Sequence, residues 1–267
     1  MNMLIFEIKR RLVSVLIWAM AICLTLWGFI AGAYPYYSRS TAAIRKVMEG
    51  FPKGFGGFFG VDIQILFSFG GFYNFVFTYI SLLAAILMLY LGISLFSEEK
   101  RAGCTDFLMT KPLSRRGAFA NKIIAGLLML FMVSVLYGAV NLALYVKFSS
   151  ESGVTVEHLL LGSLSMGMTG LVFYGIGILY ATMVNRIHSV GGTATLLGFA
   201  FFILSAVISL LDKKILNYFG LLRYFEAYTV FKSGTYRPDR IVAGTVVLLI
   251  CLIISCKIYV YRDVRAN

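Results

Sequence analysis

Two adjacent carboxylates, two histidines and four cysteines are the groups in this sequence from which a reaction could be built. Glu98 and Glu99 stand at the end of a long apolar run, where a glutamate-type intramembrane protease would carry its pair. That chemistry also needs an arginine four residues after the second glutamate, and the position holds Gly103. Its Phe-x-x-x-His element fails as well, because Val154 precedes His158 and Val184 precedes His188 at that spacing. A membrane-embedded serine protease of Gly-x-Ser-Gly type is absent too: Ser152-Gly153 and Ser233-Gly234 have Ser150 and Phe231 where the first glycine belongs. With only His158 and His188, a multi-histidine metal site cannot form. Cys23, Cys104, Cys251 and Cys256 show no metal-ligand spacing and read as reduced, structural thiols. No Gly-x-x-x-x-Gly-Lys-Ser/Thr phosphate loop occurs, so any ATP used must be bound by another polypeptide. No catalytic, cofactor or metal site is expected in this chain.

The elements that would position these groups are transmembrane. Of the 267 residues, 60% are hydrophobic and 13% charged, with a mean hydropathy of +0.86. A soluble domain carries about 25% charged residues, so most of this surface must face lipid. The net charge of +12 would suggest nucleic acid in a soluble protein. Here the basic residues lie between apolar blocks, which points to lipid headgroups and excludes nucleic acid as a partner.

A membrane-spanning helix needs about 20 mainly apolar residues. Six stretches qualify: residues 12–33, 73–96, 123–146, 159–184, 190–211 and 241–261. The chain reads as an all-α integral membrane protein, a single transmembrane domain over 1–267. Lys257 lies near the end of the last span and can reach the headgroups. Residues 1–12 set Met1, Leu4, Ile5, Ile8 and Leu12 on one face and Glu7, Arg10 and Arg11 on another, the pattern of an amphipathic interfacial helix. The first apolar run is too long for a cleaved signal core. Basic clusters at 9–11 and 111–122 flank the spans closely and place both termini in the cytoplasm.

Within the spans, no charged residue lies at depth, which disfavours ion pumps and proton-coupled carriers. Asn74 and Asn141 are buried amides suited to interhelical hydrogen bonds, with substrate contact as the alternative. Ser163/Gly167 and Ala194/Gly198 are small-xxx-small pairs, able to pack helices within the subunit or to form a dimer seam.

The segment from 97 to 122 reads SEEKRAGCTDFLMTKPLSRRGAFANK. Gly103 breaks the second helix, residues 105–110 can form a short helix carrying Phe107 and Leu108, and Pro112 ends it. A short amphipathic helix facing the cytosol suits docking into a groove on a soluble partner; the simpler role is a solvated basic hairpin.

This segment resembles the type-2 ABC exporter permeases, whose second-to-third helix loop follows E-x-x-x-G-T-L-E-x-L-L-x-x-P-[VL]-S-R with a lysine beyond. Glu99, Gly103, Asp106, Leu108, Pro112, Leu113, Ser114, Arg115 and Lys122 match, with Asp106 in place of Glu and Cys104-Thr105 in place of Thr-Leu. Phe51-Pro52 followed by Phe58-Phe59-Gly60, and Tyr261-Arg262-Asp263-Val264, resemble two further family segments. A Ser-Pro-Phe common in the family is Arg223-Tyr224-Phe225 here. The resemblance implies a coupling helix, with Glu99, Gly103, Asp106, Phe107, Leu108, Pro112 and Arg115 meeting the ATPase. It implies two ATPase subunits carrying ATP and magnesium, a second permease as in a homodimer, and outward movement of substrate in the cytoplasmic membrane. A charge-poor, aromatic-rich interior favours lipid-like, peptide or drug-like cargo. A membrane assembly or sensing protein, or an intramembrane enzyme, are the competing classes.

Overall fold

A computed structural model describes residues 3–39, 68–101, 114–152, 155–184, 186–211, 216–227, 229 and 234–261, with side chains for all but 39, 99–101, 148–152 and 261. Of these residues 91% are helical and none is in a strand. Among the described residues the fold is all-α, and six helices are long and apolar enough to cross a membrane.

The first span comprises α1 (Met3–Trp27), a π-helical turn (Gly28–Ala33) and α2 (Tyr34–Arg39) without a break. Then come α3 (Phe69–Arg101), α4 (Arg115–Ser152), α5 (Val156–Met183), α6 (Val190–Leu211) and α7 (Pro238–Tyr261). Between α6 and α7 the chain makes two 3-10 turns, Leu216–Tyr218 and Leu221–Arg223. Several helices outrun their apolar cores. Hydropathy marks the stretch that lipid must cover, whereas backbone hydrogen bonding continues wherever polar ends find partners.

The start of the chain shows this best. Residues 3–12 are helical and run without a break into the rest of α1. The polar stripe faces inward: Glu7 and Arg11 are buried, while Ile5 and Phe6 are exposed. The cause is electrostatic, because the two charges find partners on α3 and α4.

Two helices form the centre. Within the apolar windows of α3 and α5, 78% and 61% of residues are buried, against at most 33% in the other four. A helix apolar all round belongs inside, and α3 is of that kind from Phe69 to Ser97. It packs on α5, α6, α1 and α4, while α5 also takes α7 and α4. The others expose apolar rows such as Val13, Ile17 and Met20 on α1, or Leu196, Phe199 and Ile203 on α6. These suit acyl chains.

The centre closes at glycines. A Cβ on Gly177 would lie 2.8 Å from Leu89 O, and one on Gly92 would lie 2.8 Å from Tyr174 O. The α3 and α5 backbones therefore touch. Gly126 on α4 similarly admits the Tyr174 ring, whose hydroxyl donates to Lys122 O at 3.0 Å. The small-xxx-small faces are used inside the chain. Gly167 meets Ser134 and Ser163 meets Gly138 on α4, while Gly198 meets Ile86 on α3.

Away from the N-terminal end, polar groups join α3, α4 and α5. Tyr73 Oη donates to Asn141 Oδ1 at 2.9 Å and pairs with Tyr137 Oη at 3.0 Å. Asn141 Nδ2 donates to Ser163 Oγ at 3.0 Å. Asn141 is thus an interhelical amide. Asn74 lines a small cavity of about 30 Å³ with Ser81, Ser205 and Glu226.

Candidate functional site

Of the residues singled out for docking, Gly103, Asp106, Phe107, Leu108 and Pro112 lie outside the described residues, and Glu99 lies in the last turn of α3. The structure describes the two ends between which they are strung. Ser114 opens α4: its Oγ accepts from Gly117 N at 3.1 Å, an N-cap hydrogen bond. Arg115 then reaches α7, donating from Nη1 to Val260 O at 3.2 Å, close to the helix end where carbonyls lack intrahelical donors. Phe96, Phe119 and Tyr259 form a triangle of rings with centroids 5.2 to 5.8 Å apart, joining α3, α4 and α7 beneath it.

Beside this triangle lies a set of charges, of which Glu7, Arg11 and Lys122 are buried and Glu98 is half-buried. Arg11 of α1 donates to the carboxylates of Glu7 and of Glu98, and through Nε to Ser94 Oγ at 2.9 Å. Lys122 of α4 has no exposed surface. Its ammonium donates to Leu95 O, stands 4.0 Å from Glu7 and lies 5.6 Å from the Phe96 ring centroid. Glu7, Arg11, Glu98 and Lys122 balance as two acids and two bases, and the more exposed Arg10 adds a contact to Glu98. Burial of Glu7, Arg11 and Lys122 makes each depend on its partners. Removing one partner of a buried ion pair strands the other and typically costs about 3–5 kcal/mol. Such a neutral, fully engaged cluster offers no free base or nucleophile. Its capacity is mechanical: it fixes the relative positions of α1, α3 and α4.

The sequence model of a family described as "ABC-2 family transporter protein" matches residues 1–262. The chain belongs to the ABC-2 transporter family. It is a multi-pass membrane protein, the permease subunit of an ABC transporter, and its partner is an ABC ATPase. Neither the curated proteins nor the solved structures include a match to it. The matched range runs from α1 past the end of α7, so all six spans and the buried charges of this ABC-2 permease fall within it.

In the permease, the ion set is what sequence reasoning passed over. Glu98 drew notice only as half of a failed protease motif, and Lys122 only as the trailing lysine of the loop and a member of a basic cluster. Arg11 passed for a headgroup contact. One signal was available: Glu7 and Arg11 stand at i and i+4, the spacing of a helical ion pair.

Proposed function

We propose that this permease is the membrane half of an exporter, and that the 103–115 segment is where its ATPase docks. The observation that carries this is the position of α3. The helix leading into the segment is the most buried in the bundle, and the helix leading out is fastened to α7 through Arg115. A partner pressing on the segment therefore acts on the centre of the bundle, not on a peripheral hairpin. Because the chain has no phosphate loop, ATP and magnesium belong to that partner.

The working unit is two permeases, as a homodimer, with two ATPases. Backbone contact between α3 and α5 at Gly92 and Gly177 closes the middle of a single chain, so a path for substrate runs between two. ATP binding shifts the pair only through contacts that differ between inward and outward states. Apolar walls on α1, α4, α6 and α7 favour a lipid-like, peptide or drug-like substrate, moved outward across the cytoplasmic membrane.

Affinity purification of the tagged chain from its native membrane is expected to bring down a phosphate-loop ATPase in equal number. Native mass spectrometry should give two of each. The chain freed of its ATPase should hydrolyse no ATP. Absence of any ATPase from the purified complex refutes this reading, and hydrolysis by the pure chain refutes the division of labour.

The orientation carries its own test. Basic residues at 9–11 and 111–122 put both termini and the docking segment in the cytoplasm. Cysteines placed at positions 45 and 232 should react with an impermeant maleimide in intact cells, and one at 115 only after lysis. Labelling at 115 from outside would invert the topology.

A further inference from the structure

We propose that the Glu7–Arg11–Glu98–Lys122 set is the rigid joint through which displacement of the ends of α3 and α4 by a docked ATPase is passed to α1, with Arg11, Glu98 and Lys122 as positioning residues. This rests on the reading of the 103–115 segment as the docking site of an ATPase. Three observations support it.

The first is connectivity. Arg11, on α1, binds Glu98 and Ser94 of α3, and Lys122, on α4, meets both Glu7 of α1 and Leu95 O of α3. None of the three helices can slide on the others without unpairing a buried charge. The second is location. Glu98 lies within the last turn of α3 before the segment, and Lys122 lies two turns into α4 after it. The joint thus spans the segment's two feet. The third is the rest of the α1 seam. Beyond Arg11 it is Val15, Ala19, Ile22 and Leu26, all buried and apolar. Apolar contact is non-directional and tolerates slippage, whereas a guanidinium shared between two carboxylates fixes register. With Glu7, Arg11 and Lys122 buried and Glu98 half-buried, the joint is screened by salt much less than an exposed pair.

The test uses the permease purified with its ATPase. The four native cysteines are replaced, and spin labels are placed at Met20→Cys on α1 and Leu196→Cys on α6, both exposed positions. The readouts are the ATP-dependent change in label separation and the amount of ATPase bound. Wild type should show a clear change on adding ATP. Glu98→Gln should keep its ATPase while the change falls at least about threefold. Ser94→Ala, which deletes a single hydroxyl, should reduce the change in the same direction and decides the matter if Glu98→Gln fails to fold. A purely structural role would instead lower the yield of complex and leave the change intact in what remains. Wild-type displacement in ATPase-bound Glu98→Gln or Ser94→Ala overturns the proposal, as does the absence of any change in wild type. If no ATPase accompanies wild type, the docking reading itself has failed, which is a different result from an intact but uncoupled complex.

Discussion

Replacing Gly177 with leucine should eliminate the folded protein from the membrane. The position has no slack. A Cβ alone would meet Leu89 O at 2.8 Å, Leu89 Cα at 3.1 Å and Gly92 Cα at 3.3 Å, all of them backbone atoms that no side-chain rotation can move aside. Inserting methylenes into a well-packed core typically costs about 1–3 kcal/mol, and here the obstacle is the other central helix. Separating α3 from α5 would also loosen the neighbours that α5 holds, namely α4 and α7. Gly177→Ala should be a graded version, with reduced yield and a lower thermal midpoint. Gly191→Ala is the control, because a Cβ there meets no heavy atom within 4 Å. It should leave stability unchanged or raise it by up to about 1 kcal/mol through helix propensity. The measurement is the monodisperse fraction after detergent extraction, followed by thermal unfolding. A wild-type profile for Gly177→Leu would mean that α3 and α5 do not cross at these glycines.

The second large effect is expected outside the bilayer. Leu108→Asp should detach the ATPase while leaving insertion intact. Phe107 and Leu108 are apolar residues in a charged, Pro-terminated segment, and full burial of each in a partner groove contributes roughly 1.5–3 kcal/mol. Losing that contact and adding a carboxylate weakens binding at least about tenfold, since each 1.4 kcal/mol is a factor of ten. Lys213→Asp, in the segment between α6 and α7, serves as the comparison and should behave as wild type. If Leu108→Asp retains its ATPase, residues 103–115 are not the docking element. The phenotype is also distinct from that of Glu98→Gln, which should keep its partner and lose only the transmitted motion.

The six-span plan was legible because it depends on local composition: about 20 apolar residues in a row have few alternatives to a helix in lipid. The Asn141 role was legible for the same reason, since a buried amide in such a span needs a neighbour. The helix ends were not. Residues 115–122 and 97–101 look like loop by hydropathy, yet they are helical because Ser114 caps one end and Glu98 is held by Arg11 at the other. The ion set was hidden for a related reason. Glu7, Arg11, Glu98 and Lys122 each stand just beyond an apolar run, where a charge ordinarily meets headgroups. Only the three-dimensional neighbourhood shows that they meet one another. The docking residues from Gly103 to Pro112 remain a sequence argument, carried by their motif and by the two described helices that frame them.

The π-helical turn at Gly28–Ala33 has a consequence for how α1 is wound. The inward positions of the first span are 7, 11, 15, 19, 22, 26, 30 and 34, so all but one step is four residues. A plain α-helix returns to the same face every 3.6 residues, and a stripe with a longer period drifts unless the helix coils right-handed about its neighbours or unwinds. The π turn does the second, admitting one additional residue and holding Ile30 and Tyr34 in line with Val15 and Ala19. Tyr34 can then meet Phe69 edge to face at 5.2 Å, far from the charges at the other end. The turn thus acts as a vernier. Without its extra residue, everything beyond it would be rotated by about 100°, and the two ends of the span could not both face the bundle.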